Sequence, residues 1–208
     1  MDLFGYQQSD TLINLLPYDG QVNYYGPILA DSADDDFCHL LSSIPWQSDT
    51  VTMFGKRIIT KRQYAWCGNE RFVYNYSGTS RLAEPMSDTL SRIKSEVESI
   101  VDAQFNACLL NLYHDGTEGM GWHADDEPEI VSNSPIASVS LGAERRFDFK
   151  HRLSEEKVSL QLAHGSVLLM SAETQRHWLH QLPKTTKVSE PRINLTFRAM
   201  NDWTVVKD

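Results

Sequence analysis

The stretch Pro191-Arg192-Ile193-Asn194-Leu195-Thr196-Phe197-Arg198 alternates between polar and apolar residues. On an extended chain, side chains two apart share a face. Ile193, Leu195 and Phe197 therefore line one side, which packs on a core, and Arg192, Asn194, Thr196 and Arg198 line the other. Two arginines turned into a small closed β-structure are costly unless anions pair with them. A planar guanidinium matches a carboxylate two-pronged, so the pattern predicts a strand that holds a dicarboxylate. The competing reading is an exposed edge strand whose arginines face water.

Working outward, short strands are predicted at 107–113, 136–141, 145–150, 157–162 and 166–171, and the quoted stretch completes the set at 191–199. Many short strands without alternating helices argue for a β-sandwich or jelly roll in the C-terminal half. Val51-Thr52-Met53-Phe54 and Ile58-Ile59-Thr60 flank Gly55 and read as a hairpin. Two helices are expected. Ser32, then Asp34-Asp35-Asp36, then Phe37, Leu40, Leu41 and Ile44 suggest one near 33–44, with Ser32 as N-cap. Leu90, Ile93, Val97, Ile100 and Val101 form one stripe of a second, from about Ser87 to Asp102. The expected class is mainly β (α+β). It divides into an N-terminal extension over 1–48, a lid and supporting helix over 49–106, and a core over 107–208.

The chemistry-bearing residues fall on three segments. Asn111-Leu112-Tyr113 ends an apolar strand, Trp122-His123-Ala124-Asp125-Asp126-Glu127 follows, and Trp178-Leu179-His180-Gln181-Leu182-Pro183 precedes the quoted stretch. On an extended chain His123 and Asp125 point the same way, so both reach one metal ion. A third ligand from a later strand completes a facial set of two histidines and one carboxylate, which suits non-haem Fe(II). His177 and His180 both compete for that place.

The 208 residues carry 28 acidic and 19 basic side chains, a net charge of −9. That balance disfavours nucleic acid, whose phosphates are bound by Lys and Arg. The distribution changes the inference. Residues 1–55 hold eight acids and no Lys or Arg, whereas residues 54–81 carry six cations against Glu70 alone, a local +5. Affinity for nucleic acid then rests on one local basic patch. No apolar run is long enough to span a membrane, and Met1–Gln8 has no secretory pattern. Three scattered cysteines without a paired motif point to a reducing, cytoplasmic setting. A monomer is expected.

His123-Ala124-Asp125-Asp126-Glu127-Pro128, Pro135–Gly142 and Pro191–Arg198 together resemble the AlkB family of Fe(II)- and 2-oxoglutarate-dependent dioxygenases, close to its nucleic-acid repair members. The resemblance runs from about residue 50 to 200 and does not extend to residues 1–48. It implies a double-stranded β-helix (jelly-roll) core, with iron on His123, Asp125 and His180. His180 is chosen because the family's ligand precedes a short step to proline, as in His180-Gln181-Leu182-Pro183. His177 then lies beside the site or on the surface, and His39, His114, His151 and His164 are structural. The resemblance places Arg192 on the distal carboxylate of 2-oxoglutarate and Arg198 near its oxo-acid end, with Asn111, Tyr113 and Asn194 adding hydrogen bonds.

For substrate, the resemblance implies oxidative demethylation of alkylated DNA, or RNA, at bases such as 1-methyladenine and 3-methylcytosine. A flipped base needs a stacking surface and groups for its polar edge. Tyr76, with Tyr74 beside it, matches the stacking position, and Asp126 and Glu127 can accept from an exocyclic amine. Phe54, at the hairpin tip next to Lys56, Arg57, Lys61 and Arg62, matches an apolar wedge. Trp66-Cys67-Gly68-Asn69 departs from the family's Tyr-Gly-Asp pattern, which affects the lid rather than the iron site. An oxygenase acting on a protein, lipid or small molecule is the alternative enzyme, and a metal-free jelly-roll binding module is the non-enzymatic one.

Overall fold

The structure, a computed structural model, describes residues 12–53, 56–76, 79–201 and 204–205, without the side chains of 49–53, 56–58, 74–76, 79–81 and 204–205. The chain begins with β1 (Gln21–Gly26) and α1 (Ala30–Ser43), followed by the antiparallel pair β2 (Gln47–Met53) and β3 (Lys56–Gly68). Next come β4 (Phe72–Tyr76), β5 (Thr79–Pro85), α2 (Asp88–Val101), β6 (Ala107–Tyr113) and β7 (Met120–His123). The remainder is β8 (Ile136–Gly142), β9 (Arg145–His151), β10 (Lys157–Leu162), β11 (Ser166–Ser171), the one-turn α3 (Thr174–His177), β12 (Trp178–Leu182), β13 (Arg192–Arg198) and β14 (Thr204–Val205).

The strands form two sheets. The larger runs β1-β11-β8-β13-β6-β3-β5-β4-β14 with β2 attached to β3, and the smaller runs β10-β9-β12-β7. Two apolar clusters explain the layering. On one side of the larger sheet, Ile193, Leu195 and Phe197 of β13 pack with Leu40 of α1 and Leu90, Ile93 and Val97 of α2. On the other side, Val22, Ile136, Leu168 and Met170 meet Phe147, Phe149, Trp178 and Leu182 of the smaller sheet. Helices, large sheet and small sheet thus stack in that order as a double-stranded β-helix. The alternation of β13 sends its apolar residues to the helices and its polar residues between the sheets.

Both helices differ in detail from expectation. α2 falls within the expected span, and Ser87 caps it: Ser87 Oγ accepts the Leu90 N–H at 3.3 Å, and Asp102 leaves the helix at φ 49°. Ile100, assigned to its apolar stripe, is instead 40% exposed. α1 begins at Ala30, so Ser32 is not its N-cap. The Ser32 hydroxyl donates to Asp36 at 2.9 Å, and Arg92 of α2 pairs with that same buried carboxylate. The acid read as a first-turn charge is therefore a clasp between the helices. The stretch 1–48 also supplies an element without a sequence prediction. β1 pairs antiparallel with β11 and forms one edge of the larger sheet.

Candidate active site

The site lies between the sheets and draws on β6, β7, β12 and β13 and the loop after β7. His180 on β12 is the Cα partner of His123 at the end of β7, with ring centroids 4.2 Å apart. Asp125 lies two residues past β7, so strand alternation does not aim it, contrary to the pleat argument. Two contacts aim it instead. Its N–H donates to Gln175 Oε1 at 3.0 Å, and its Oδ1 accepts from Arg198 Nη2 at 2.7 Å. One ligand atom from each of His123, Asp125 and His180 lies within 4.8 Å of the other two.

The protonation states suit a metal. His123 Nδ1 donates to Gly121 O at 2.8 Å, which leaves Nε2 to face Asp125 Oδ1 at 3.9 Å. His180 is buried, and its Nδ1 has no hydrogen-bond partner. Burial first, and then His123, pushes the His180 imidazole down to about 3, so it is neutral at physiological pH. Burial opposes ionisation of Asp125, but Arg198 and the two histidines outweigh it and hold its carboxyl below the ordinary range. Two imidazoles and one carboxylate, with an unpartnered buried nitrogen among them, fit a divalent iron ion with open positions.

Beside this cluster, Arg192 is 2% exposed. Its Nη2 donates to Ser140 Oγ at 2.9 Å, its guanidinium lies 5.7 Å from the Tyr113 ring centroid, and its Nε is buried without a partner. Burial pulls its pKa down to about 10. Among the described residues no carboxylate pairs with it, so a ligand carboxylate fits this place. One cavity is lined by all three metal candidates and by Asn111, Tyr113, Arg192, Asn194 and Arg198. Register explains the grouping. Arg192 stands opposite Tyr113, and Asn194 opposite Asn111, across β13 and β6.

The contacts of these residues are more specific than the sequence implied. Arg198, expected near the oxo-acid end of a cosubstrate, holds Asp125 and lies 3.7 Å from Glu127. Asn111 Oδ1 accepts from Arg62, which puts Arg62 beside the residues expected to hold a cosubstrate. Asn194 Nδ2 donates to Ser138 Oγ at 2.9 Å and Val139 O at 3.0 Å. Burial raises the Glu127 carboxyl above its usual range despite Arg198. Asp126 is exposed and 3.2 Å from Arg152, at a recess that Glu127 and Gln175 also line. Phe54 and the side chains of Tyr74 and Tyr76 lie outside the described residues. His177 pairs with Glu173 at 3.3 Å and is not part of the His123 cluster.

Sequence reasoning missed Gln175 and Arg145. Glu173-Thr174-Gln175-Arg176-His177 shows no pattern that marks its glutamine. Arg145 is buried and donates to the carbonyls of Glu118 and Pro183, both at 2.9 Å, and to those of Asp115 and Gly116, both at 3.3 Å. It ties together the two loops behind Tyr113. The doublet Arg145-Arg146 is its only sequence signal, and Arg146 is exposed.

Comparison with known proteins agrees with this geometry. Residues 22–198 match the 2OG-Fe(II) oxygenase superfamily. The chain is 43% identical over 156 residues to the DNA oxidative demethylase ALKBH2 of Homo sapiens, covering 71% of this chain and 60% of that protein. It is 32% identical over 187 residues to the alpha-ketoglutarate-dependent dioxygenase alkB homolog 3 of Homo sapiens, covering 85% and 65%. The matched chain thus spans less than two thirds of the length of these curated relatives. A solved structure of OsALKBH1 superposes with a TM-score of 0.58 at 17% identity, covering 88% of this chain and 99% of that one, which is a likeness of fold.

Proposed function

We propose a function that starts from family membership: the chain belongs to the 2OG-Fe(II) oxygenase superfamily, in its AlkB branch. On that premise it is an Fe(II)- and 2-oxoglutarate-dependent dioxygenase that removes N-alkyl groups from DNA bases, with 1-methyladenine and 3-methylcytosine as its substrates. When bound, iron and 2-oxoglutarate would let dioxygen act as the oxidant: one oxygen atom enters succinate as CO2 leaves, the other hydroxylates the methyl carbon, and the N–C bond then breaks to release formaldehyde and restore the base. The observation that carries the reading is the His123, Asp125 and His180 cluster in one cavity with Arg192, whose guanidinium no carboxylate among the described residues pairs.

The protein's own groups divide the work. His123, Asp125 and His180 hold the iron. Arg192, backed by Ser140 and Tyr113, anchors a cosubstrate carboxylate. Arg198 keeps Asp125 ionised and oriented, and so sets the direction of the one anionic ligand. Asp126 and Glu127 sit on the residues after Asp125, where they accept hydrogen bonds from an exocyclic amine and favour a cationic, methylated base. The +5 stretch 54–81 supports DNA as the partner, with Phe54, Tyr74 and Tyr76 as the wedge and stacking residues. The proposal includes a monomer in a reducing, cytoplasmic setting, supported by three free thiols. Among the described residues no helix is long and apolar enough to cross a membrane.

The test is a mass-spectrometric demethylation panel comparing 1-methyladenine, 3-methylcytosine and ethenoadenine in single- and double-stranded DNA and in RNA. Restoration of the two methylated bases in DNA, dependent on 2-oxoglutarate, is expected. Turnover confined to RNA, or none on any nucleic acid, overturns the substrate assignment.

A further inference from the structure

A second group with metal-ligand chemistry lies outside the active site. One ligand atom each from Asp19, His151 and His177 falls within 4.8 Å of the others, the same bound that holds for His123, Asp125 and His180. The three come from separate segments: the turn before β1, the end of β9, and the last residue of α3. We propose that this cluster is a second divalent-cation site of the zinc class, built from two imidazoles and one carboxylate and structural in role.

His177 is oriented for it, and His151 becomes so after one proton shift. Ligating imidazoles ordinarily donate their other ring N–H to an oxygen that fixes the tautomer. His177 Nε2 is held by Glu173 Oε2 at 3.3 Å, which leaves Nδ1 available. His151 Nδ1 lies 3.0 Å from Ser154 Oγ, and its ring is packed edge-on by Tyr18 at 5.0 Å. The side chain of His151 is only 4% exposed, and its Nε2 is buried without a hydrogen-bond partner, 3.3 Å from Asp19 Oδ2. A buried, unpartnered nitrogen aimed at a carboxylate is an incomplete arrangement that a cation completes.

Two adjustments accompany loading. The Ser154 N–H also approaches His151 Nδ1, at 3.1 Å, so in the free protein the imidazole proton sits on Nε2. Binding a cation at Nε2 moves that proton to Nδ1: the bond from the Ser154 N–H to Nδ1 gives way, and Ser154 Oγ accepts the new Nδ1–H instead. Donors about 2 Å from a tetrahedral ion lie closer together than 4.8 Å. Asp19 and His177 must therefore draw inward, and their side chains, 52% and 28% exposed, have room to do so. Water fills the remaining position on the solvent side.

The ion would pin the chain entering β1 to the smaller sheet. Trp178 Nε1 already donates to Tyr18 O at 3.0 Å, and α3 leads directly into β12, which carries His180. The inference does not rest on the proposed dealkylation. It is tested by anaerobic Co²⁺ titration of the full chain, with bound metal counted by equilibrium dialysis and followed by visible absorption. The parent is expected to bind two equivalents. His177→Ala and Asp19→Asn should each bind one, while keeping the 2-oxoglutarate-dependent spectral change of the first site. Asp125→Ala should retain the second equivalent, with a Co²⁺-dependent rise in melting temperature that His177→Ala abolishes. An Asp125→Ala protein that binds no metal, or a His177→Ala protein that still binds two equivalents, overturns the proposal and leaves Asp19, His151 and His177 as a metal-free brace.

Discussion

Gln175 Oε1 accepts the backbone N–H of Asp125 at 3.0 Å, across fifty residues of sequence. This bond joins the turn that leads to His180 with the loop that carries Asp125. Partners of this kind typically change metal affinity by about 10–100-fold when removed. Gln175→Ala should therefore weaken Fe(II) activation about 10-fold and lower stability by only about 1 kcal/mol. Iron-dependence curves and urea unfolding measure the two effects. An unchanged iron requirement would remove Gln175 from the account.

Arg192 is a buried cation with no carboxylate paired to it among the described residues. A buried charge without its partner contributes little to stability, and an apolar replacement of similar volume is often neutral. Arg192→Met should thus match or exceed the parent's stability in the absence of cosubstrate. Saturating the parent with 2-oxoglutarate to about 100 Kd should stabilise it by about 2.7 kcal/mol, and the variant should gain almost nothing. Thermal melts with and without 2-oxoglutarate check both halves.

Asp148 predicts the acid response of the smaller sheet. Its buried carboxylate accepts from Ser159 Oγ at 2.7 Å, Gln181 Nε2 at 2.9 Å and Arg146 Nε at 2.6 Å. Burial opposes its charge, yet these donors hold its pKa below the ordinary 3.8. A folded-state value below the unfolded one stabilises the protein above the unfolded value, and the effect is lost as pH falls through the folded one. Asp148→Asn should cost about 2 kcal/mol near pH 7. The gap between parent and variant should close below about pH 4 as the parent's carboxylate protonates. Urea titrations at several pH values resolve it, and a gap that widens on acidification would reverse the assignment.

Gly116 marks the contact between the loops that Arg145 ties together. A Cβ added there would sit 2.4 Å from Thr185 O and 2.8 Å from Val188 O, both backbone atoms. Backbone cannot rotate aside as a side chain can. Gly116→Ala should therefore destabilise by about 1–3 kcal/mol and raise the KM for 2-oxoglutarate through Tyr113. Denaturant unfolding and cosubstrate titration are the measurements.

The sequence carried the strands well where alternation was strong. β13 falls where its period-two patterning puts it, and His180 was chosen over His177 through the resemblance to the AlkB family, whose ligand precedes a step to proline. The placement of Asp125 was not legible, because it depends on Gln175 and Arg198 rather than on strand alternation. β1 was missed because Gln21-Val22-Asn23-Tyr24-Tyr25-Gly26 is an edge strand with little alternation, stabilised by pairing with distant β11. The clasp of Asp36 with Arg92 and the bracing of two loops by Arg145 are long-range pairings, to which periodicity is blind.

The central claim is that His123, Asp125 and His180 hold the iron that dealkylates DNA bases. The most direct measurement counts succinate formed and 1-methyladenine restored on a methylated duplex, for the parent and for Asp125→Ala. The account predicts equal amounts of both from the parent and neither from the variant, with the variant still folded. Base restoration by Asp125→Ala at the parent's rate would contradict it.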